Sequence, residues 1–397
     1  MDETVKERRK IVVIGAGASG LTVGNMLHGM GIDCVVLEHR SRSYVEQRQR
    51  AGVVELRAVR MFHKWGMGDV IVGPPYDGTI ELWVDGVPRL LTEAREEEEP
   101  GLPMARFCPQ QALVRNLLAR LADGGGDVRF EASDVTIHDP LGDTPMVSYI
   151  DADGRRHEIS CDYIAGCDGD HGVSRKAYAA GALTSYVEDY GRAWLSVLAE
   201  VPPPPRLVVA ISDQGYACHI GRGPAASRFY LECPTTDTVE DWPDSRIWEQ
   251  LRQRMGAPDL AVGTISEKQV ITLRSSVHEP MRHGRLFLIG DAAHLIVPVS
   301  GKGMNLALRD AEMFVTAVGN KLENGDGSGL DEYSDRCLAR VWNYQEFTLS
   351  LADAFHDAGD QSVAGPFRRK IARARVERLL TSPNAARLYG EMMRGID

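Results

Sequence analysis

A glycine-rich turn near the start of the chain constrains its fold more than any other feature. An apolar run at residues 11–15 leads into the motif Gly15-Ala16-Gly17-Ala18-Ser19-Gly20, and apolar residues then recur at helical spacing over residues 19–30. A second apolar run at 34–37 ends in Glu38. This pattern predicts a strand, a helix and a strand, with a dinucleotide pyrophosphate at the helix N-terminus and an adenosine ribose on the Glu38 carboxylate.

Charge and cysteine usage exclude several classes of partner. The formal net charge of −11 argues against binding to nucleic acid or to an anionic membrane, because both require a basic surface. The seven cysteines contain no CxxC pair, so neither a disulfide framework nor a metal site is expected. The N-terminus has no signal-peptide core, and no later segment approaches the ~18 apolar residues of a membrane span. A cytoplasmic location is the expectation.

A second glycine-rich segment distinguishes a flavin from a simple nicotinamide cofactor. An apolar run at 286–289 precedes Gly290-Asp291-Ala292-Ala293-His294, and a glycine-rich loop from Pro298 leads to Gly303-Met304-Asn305 at the start of another helix. Asp291 can accept a hydrogen bond from a ribityl hydroxyl, and the amides of 303–305 can face negative charge on a reduced isoalloxazine. The alternative is an ordinary strand followed by a capped helix.

Several segments resemble the para-hydroxybenzoate hydroxylase family, and the resemblance covers nearly the whole chain. These segments are GAGASG at 15–20, RQRAGV at 48–53, CDYIAGCDG at 161–169 and GDAAH at 290–294 with the residues through Asn305. The resemblance implies an FAD monooxygenase that consumes NAD(P)H and O₂, forms a C4a-hydroperoxyflavin, hydroxylates a small aromatic acid and assembles as a homodimer. It implies FAD contacts from Arg50, Gln110 and Asp291, and it gives Asp168 a role toward both FAD and NAD(P)H. By its own pattern, Asp168 fits a turn or a helix N-cap equally well.

The expected architecture is mixed α/β. Strand-like segments at 207–211, 216–220 and 228–233 indicate an antiparallel sheet, and helical spacing dominates after residue 305. We expect an interrupted Rossmann-like FAD-binding domain, an antiparallel-sheet substrate domain and a C-terminal helical region. The FAD-binding domain would comprise residues 1–74, 106–180 and 270–345, the substrate domain 75–105 and 181–269, and the helical region 346–397.

The resemblance also assigns residues to NAD(P)H. It places Tyr44, Arg48, His171 and Arg274 around the pyrophosphate or the 2′-phosphate, where arginine can form charge-assisted hydrogen bonds. The family has Arg-Gln after the ribose-binding glutamate, whereas this chain has His39-Arg40. The choice between NADPH and NADH therefore stays open, with a slight preference for NADPH.

The substrate residues follow the family in part. Arg222 and Tyr230 match the positions that hold the substrate carboxylate, Pro298 matches a proline whose carbonyl lies near the ring substituent, and Lys302 matches a basic residue of the flavin environment. Elsewhere the pocket differs. Val209 and Met393 replace two phenols that bind the substrate hydroxyl, Ile220 replaces a serine, and Tyr76 replaces the histidine at the end of a proton relay.

These replacements lead to a hypothesis about the substrate. Because neither Val209 nor Met393 can share a proton, an amino donor on the ring, as in 3-amino-4-hydroxybenzoate or 4-aminobenzoate, would activate it better than a phenolate. One alternative is a 4-hydroxybenzoate 3-hydroxylase with an altered pocket, in which the Pro298 carbonyl or water takes the proton. A non-catalytic flavoprotein and an NAD-dependent dehydrogenase are further alternatives.

Overall fold

The glycine motif lies between the first strand of a parallel sheet and a helix, as the sequence predicts. The computed structural model describes residues 4–48, 52–91, 104–356 and 365–395. The described strands are β1 (Val5–Arg8), β2 (Ile11–Ile14), β3 (Cys34–Leu37), β4 (Ile80–Val84), β5 (Val87–Leu91), β6 (Asp127–Arg129), β7 (Ser133–His138), β8 (Met146–Ile150), β9 (Arg156–Ser160), β10 (Tyr163–Gly166), β11 (Thr184–Ala199), β12 (Leu207–Ser212), β13 (Gly215–Gly221), β14 (Ser227–Cys233), β15 (Ile265–Glu279), β16 (Arg282–His283), β17 (Leu286–Leu288) and β18 (His294–Leu295). The described helices are α1 (Ala18–Gly29), α2 (Arg42–Gln47), α3 (Leu56–Lys64), α4 (Gln110–Asp123), α5 (Asp244–Met255), α6 (Gly303–Asn324), α7 (Ser328–Asp331), α8 (Tyr333–Phe355), α9 (Gly365–Thr381) and α10 (Pro383–Arg394).

A six-stranded sheet forms the centre of the nucleotide-binding part, in the order β16-β17-β10-β2-β3-β6. Strands β17, β10, β2, β3 and β6 are parallel. The apolar runs of β17, β10, β2 and β3 are buried because helices cover the sheet, whereas β6 at its edge is half-buried. A smaller sheet, β1-β9-β8-β7, packs Val147, Tyr149 and Ile159 into the same core. This smaller sheet was not predicted from the sequence.

An eight-stranded sheet forms the second part, in the order β18-β15-β11-β14-β13-β12-β4-β5. Its two faces differ because side chains alternate along each strand. One face carries Trp194, Val209 and Tyr230 into a cluster with the C-terminal helices, and the other packs Phe229 against α5. The predicted mixed α/β fold is therefore confirmed.

Two elements cross the predicted domain boundaries. Strand β15 runs from 265 to 279 through the boundary at 270, and helix α8 runs from 333 to 355 through the boundary at 346. Both are long enough to serve two parts of the molecule. Strand β15 pairs with β11 in the large sheet and also with β18, which directly follows the Gly290 segment.

Candidate cofactor and substrate site

The glycine motif packs tightly on one side and is open on the other. Gly15 has φ +103°, and a Cβ there would lie 2.4 Å from the Cys167 carbonyl oxygen. A Cβ on Gly20 would lie 1.9 Å from the Gly15 carbonyl oxygen, whereas one on Gly17 would meet no atom within 4 Å. Gly17 is exposed and precedes α1 without a side-chain cap. The first amides of α1 therefore face open space of the kind that a phosphate occupies.

Glu38 lies beside the motif, as predicted. Its Oε2 accepts a hydrogen bond from the Ala16 amide and its Oε1 accepts one from the Arg40 amide, each at 2.8 Å. These bonds fix the carboxylate between the glycine turn and the end of β3. Each carboxylate oxygen has two lone pairs, so both oxygens can still accept a ribose hydroxyl.

The structure gives Asp168 the role of a turn residue. Its Oδ2 accepts hydrogen bonds from the Val173 amide at 2.6 Å, the Ser174 amide at 2.8 Å and the Ser174 hydroxyl at 3.0 Å. Among the described residues, Oδ1 is buried without a partner, and burial raises the pKa of the carboxyl. The Asp168 backbone also packs against Gly15. This residue therefore shapes the wall of the glycine turn, and a direct contact with a cofactor stays a prediction.

The second glycine-rich segment joins the first one. Gly290 has φ +63°, and a Cβ there would lie 2.6 Å from the Ala307 Cβ and 3.6 Å from the Ser19 Oγ. A buried pair holds this turn, because Asp310 accepts hydrogen bonds from the Gly290 amide at 3.1 Å and from His294 Nε2 at 2.6 Å. Burial raises the pKa of Asp310, but His294, Arg340 and the Gly290 amide together lower it overall. Asp291 is half-buried at the opening of this turn.

All these segments follow strands of one parallel sheet. The glycine motif follows β2, Glu38 follows β3, Asp168 follows β10 and Asp291 follows β17. The carboxyl ends of neighbouring parallel strands meet at one edge of the sheet, where nucleotides bind in such folds. The tight glycine contacts, the uncapped helix and the placed carboxylates fit a dinucleotide that extends from Glu38 to Asp291.

Lys302 and Asn305 both form hydrogen bonds that connect distant segments of the protein. The Lys302 ammonium is buried, donates to Glu55 Oε2 at 2.5 Å and donates to the Met393 carbonyl at 2.7 Å. The Asn305 amide accepts from the Glu55 amide at 3.1 Å and donates to the Val53 carbonyl at 3.0 Å. These contacts connect the start of α6, where Gly303 and Met304 lie half-buried, to the segment before α3 and to the end of α10. Pro298 lies exposed on the loop just before them.

The predicted substrate residues share one hydrophobic cluster. Tyr76, Val209 and Tyr230 are buried in it, and Ile220 and Met393 pack against it half-buried. The same cluster includes Ile296 and Val297 from the loop before Pro298. Tyr76 packs on Phe107 at 4.6 Å and lines a crevice with Met393. The structure thus brings the large sheet, the loop before α6 and the end of α10 to one apolar site.

Arg222 lies on this cluster without a carboxylate partner in the described ranges. Arg222 is half-buried, and its guanidinium lies beside the Tyr230 phenol. Burial lowers the pKa of Arg222, and the charge of nearby Arg228 lowers it further, while Tyr230 opposes both effects. Arg228 instead has internal partners, donating to Ser196 Oγ at 2.7 Å and lying 3.5 Å from Glu267. An anion bound at Arg222 would offset its desolvation.

Comparisons with known proteins identify the family. An FAD binding domain model matches residues 8–348. The chain is 34% identical over 386 residues to p-hydroxybenzoate hydroxylase of Acinetobacter baylyi, covering 94% of this chain and 92% of the relative. The chain belongs to the p-hydroxybenzoate hydroxylase family of FAD-dependent aromatic monooxygenases. It is also 25% identical over 335 residues to a probable NADH-specific resorcinol 4-hydroxylase of Rhodococcus jostii, covering 81% of this chain and 61% of that relative.

The fold of the hydroxylase agrees with solved structures. It superposes on p-nitrophenol 4-monooxygenase of Pseudomonas putida with a TM-score of 0.80 at 19% identity, covering 99% of this chain and 100% of the other. FAD, NAD(P)H and O₂ are the cofactors and co-substrates of the enzyme. Family membership also decides against the dehydrogenase and non-catalytic alternatives.

The nicotinamide-nucleotide residues predicted for the hydroxylase lie in two groups. In one group, exposed His39 is 3.6 Å from Glu38, and the Arg40 guanidinium lies 5.1 Å from the Tyr44 ring centroid. Exposed Arg48 in the same group is the C-cap residue that follows α2. In the other, Arg274 pairs with Asp170, which also neighbours His171. Gln110 is the first residue of α4, and Arg50 lies outside the described residues.

Sequence reasoning missed several residues of the hydroxylase site. Glu55, the partner of Lys302, and Asp310, the partner of His294, are separated from those partners by 247 and 16 residues. Trp194 and His356 were also missed. Trp194 belongs to the apolar cluster, and its indole donates to His356 Nε2 at 2.7 Å. Among these residues, Asp310 alone carried a sequence signal, because it is an aspartate on the apolar face of a predicted helix. Within the described ranges, no group of three or more His, Cys, Asp and Glu side chains could hold a metal ion, and no helix is long and apolar enough to cross a membrane.

Proposed function

We propose that this enzyme hydroxylates a small benzoate-type acid that carries an amino substituent, with or without a hydroxyl group. Concrete candidates are 3-amino-4-hydroxybenzoate and 4-aminobenzoate. The observation that carries the proposal is Arg222, a half-buried cation on an apolar cluster, with no carboxylate partner among the described residues.

Arg222 and Tyr230 would bind the carboxylate of the substrate. A guanidinium presents two parallel N–H donors that match the two carboxylate oxygens, and a phenol can add a third hydrogen bond. The cluster around Val209 then contacts the ring. A planar anion with an apolar body fits such a site, because its charged end meets the cation while the ring replaces water at apolar side chains.

The apolar wall favours an amino donor. Attack by the ring on an activated oxygen requires an electron-rich carbon, and a phenol supplies this best as a phenolate. Val209 and Met393 cannot accept the phenolic proton, and their apolar surface disfavours the anion by desolvation. An amino group donates electron density while neutral, so it needs neither a proton relay nor a charged ring.

The remaining residues would position the reactants and exclude water. When bound, FAD supplies reduction by NAD(P)H and activation of O₂. Gly17 and the start of α1 would hold its pyrophosphate, Glu38 its ribose and Asp291 its ribityl chain. Lys302 and Asn305 act as positioning residues that fix the α6 N-terminus against Glu55. Pro298 presents a main-chain carbonyl that can accept a hydrogen bond from a ring substituent. NADH and NADPH are both candidate reductants, and one relative is named NADH-specific.

A substrate panel tests the proposal. Each candidate acid is assayed aerobically with NADH and with NADPH, beside the matching carboxamide and the matching benzene without a carboxylate. We expect hydroxylated product from amino-substituted benzoates and little from their amides, because an amide has no charge for Arg222. Equal product from acids and amides would show that Arg222 does not bind the substrate through its carboxylate.

Restoring the two phenols tests the role of the apolar wall. In Val209→Tyr with Met393→Tyr, we expect product from 4-hydroxybenzoate to increase relative to product from 4-aminobenzoate. Met393→Tyr by itself is the milder variant, because Met393 is half-buried whereas Val209 is buried. A folded variant with unchanged preference would favour the alternative, a 4-hydroxybenzoate 3-hydroxylase that binds its substrate in another orientation.

We also propose that the enzyme is a homodimer formed through its C-terminal helices. The support is apolar side chains exposed on them, with Phe367 at 70% and Leu388 at 60% exposure. Light scattering of the purified enzyme tests this, and Phe367→Glu should shift a dimer toward monomer. A monomeric wild-type protein would contradict the proposal.

A further inference from the structure

Asp170 is an internal anion at the centre of a cationic cluster. Its carboxylate pairs with Arg274 and lies 3.3 Å from Arg175 Nη2 and 3.9 Å from His171 Nδ1. Arg175 also donates to the Asp170 main-chain carbonyl. The Arg274 side chain is 41% exposed and that of His171 is 89% exposed, whereas that of Asp170 is 16% exposed. Solvent thus reaches Arg274 and His171 from outside, while the Asp170 carboxylate lies against them from within.

This cluster adjoins the cofactor-binding edge of the sheet. Asp170 lies two residues after Asp168, whose backbone packs against Gly15. Arg175 Nη1 donates to the main-chain carbonyls of Ala292 at 2.8 Å and Asp291 at 3.4 Å. An ordinary surface ion pair would contribute little to stability and would need no hydrogen bonds to the Gly290 segment. The guanidinium groups of two arginines match the geometry of a phosphate, so this cluster beside the dinucleotide-binding edge suits a phosphate ligand.

We propose that Asp170 determines the selectivity of this enzyme for its nicotinamide dinucleotide by occupying Arg274 as an internal competitor of phosphate. The inference rests on the proposed function, because it takes the cluster as the NAD(P)H site. A nucleotide phosphate that reaches Arg274 must displace the Asp170 carboxylate or bind beside it. The free-energy cost of binding beside or displacing this carboxylate rises with the negative charge of the dinucleotide. Asp170 therefore disfavours NADPH more than NADH.

The test compares Asp170→Asn with wild type as FAD-loaded enzyme. Binding of NADP⁺ and NAD⁺ is measured by isothermal titration calorimetry, and KM for NADPH and NADH is measured in flavin reduction. Asparagine keeps the size and the acceptor oxygen but removes the charge. We expect NADP⁺ to bind about three- to tenfold more tightly, as for removal of one like charge roughly 6 Å from a phosphate in a solvated site. NAD⁺ should gain less.

Two further variants make the result decisive. Asp69→Asn removes the same charge from an ion pair whose arginine, Arg120, is 39% exposed and so resembles Arg274 in exposure, although Asp69 itself is more exposed than Asp170. Asp69 is distant in sequence from the cluster, so this variant should leave both affinities unchanged. Arg274→Met should weaken both. If Asp170→Asn weakens NADP⁺ binding or leaves it unchanged, Asp170 merely orients Arg274 and the proposal is wrong. If it tightens NAD⁺ binding as much as NADP⁺ binding, Asp170 does not determine selectivity and the proposal is wrong as well. If Arg274→Met has no effect, the cluster is not the dinucleotide site, and the proposal is also wrong.

These measurements do not depend on the aromatic substrate. The proposed benzoate specificity can fail while NADP⁺ binding still responds to Asp170→Asn. Conversely, normal turnover of amino-substituted benzoates with no response to Asp170→Asn would overturn the inference and leave the proposed function intact.

Discussion

Replacing Arg222 by Met separates a ligand-binding arginine from a structural one. Methionine has a similar length and no charge, so it removes the cation while filling most of its volume. In the free enzyme, the half-buried Arg222 guanidinium has no carboxylate partner among the described residues, and burial lowers its pKa. Removing such a charge should leave the thermal midpoint unchanged or raise it slightly, because the desolvation cost disappears with it.

The effect on binding should be large. A carboxylate on Arg222 gains charge-assisted hydrogen bonds, and their loss should cost about 2–4 kcal/mol. This corresponds to a dissociation constant for 4-aminobenzoate that rises about 30- to 1,000-fold. Arg222→Lys keeps the charge but not the two-pronged geometry, so it should fall between Met and wild type.

Arg254→Met is the matched control. Burial also lowers the pKa of Arg254, but this arginine donates to the Tyr216 carbonyl at 3.0 Å and the Glu232 carbonyl at 2.7 Å. Its removal should lower the thermal midpoint by several degrees, because two buried carbonyls lose their donors. The assay combines thermal melts without ligand and titration of bound-flavin absorbance with 4-aminobenzoate. An Arg222→Met protein that melts like Arg254→Met yet binds the acid normally would refute the reasoning.

Three further predictions concern the cofactor, the ion pair and acid stability. Gly17→Ala should fold normally and bind FAD at least about tenfold more weakly, because its Cβ enters the open side of the motif. Gly20→Ala should fail to fold properly, because its Cβ would lie 1.9 Å from a carbonyl oxygen. Fluorescence titration of the apoprotein with FAD measures both variants, and tight binding by Gly17→Ala would contradict this placement of the pyrophosphate. Lys302→Met should lower the free energy of unfolding by about 3–5 kcal/mol, because Glu55 becomes an unpaired buried charge, and adding Glu55→Gln should recover part of that loss. Denaturant unfolding measures both, and a loss below about 1 kcal/mol would show that the pair is dispensable. Burial lowers the pKa of His219 to about 4 from 6.5, so its contribution to stability is full above about pH 6.5 and is lost as pH falls toward 4. His219→Gln should therefore lose less stability than wild type over this range, by up to about 3 kcal/mol in acid titrations, and parallel curves would argue against a buried neutral histidine.

Local patterns explain what the sequence predicts well. The strand, helix and strand from β2 to β3 are adjacent in the chain, and the tight turn between them requires glycine, so Glu38 could be placed beside the motif without a structure. The second motif at Gly290 was found for the same reason. The pairing of His294 with Asp310 was not predicted, because the two residues meet only when α6 packs onto β17.

Long-range pairing explains what the sequence does not predict. Strand β15 mixes charged and apolar residues, and its pairing with β11 fixes which side faces the core. Lys302 and Asn305 fit a role at the flavin equally well by sequence, yet their partners lie near Glu55, about 250 residues away. The contacts of Asp170 with Arg274, separated by 104 residues, depend likewise on how the two sheets meet.

The measurement that tests the central claim most directly is coupling, the ratio of hydroxylated product to NAD(P)H consumed. It is measured for 3-amino-4-hydroxybenzoate, 4-aminobenzoate and 4-hydroxybenzoate under the same conditions, with hydrogen peroxide measured in parallel. An apolar pocket with an Arg222 anchor predicts the highest coupling for an amino-substituted benzoate and mainly peroxide from 4-hydroxybenzoate. The highest coupling with 4-hydroxybenzoate, together with peroxide from the amino acids, would contradict the account.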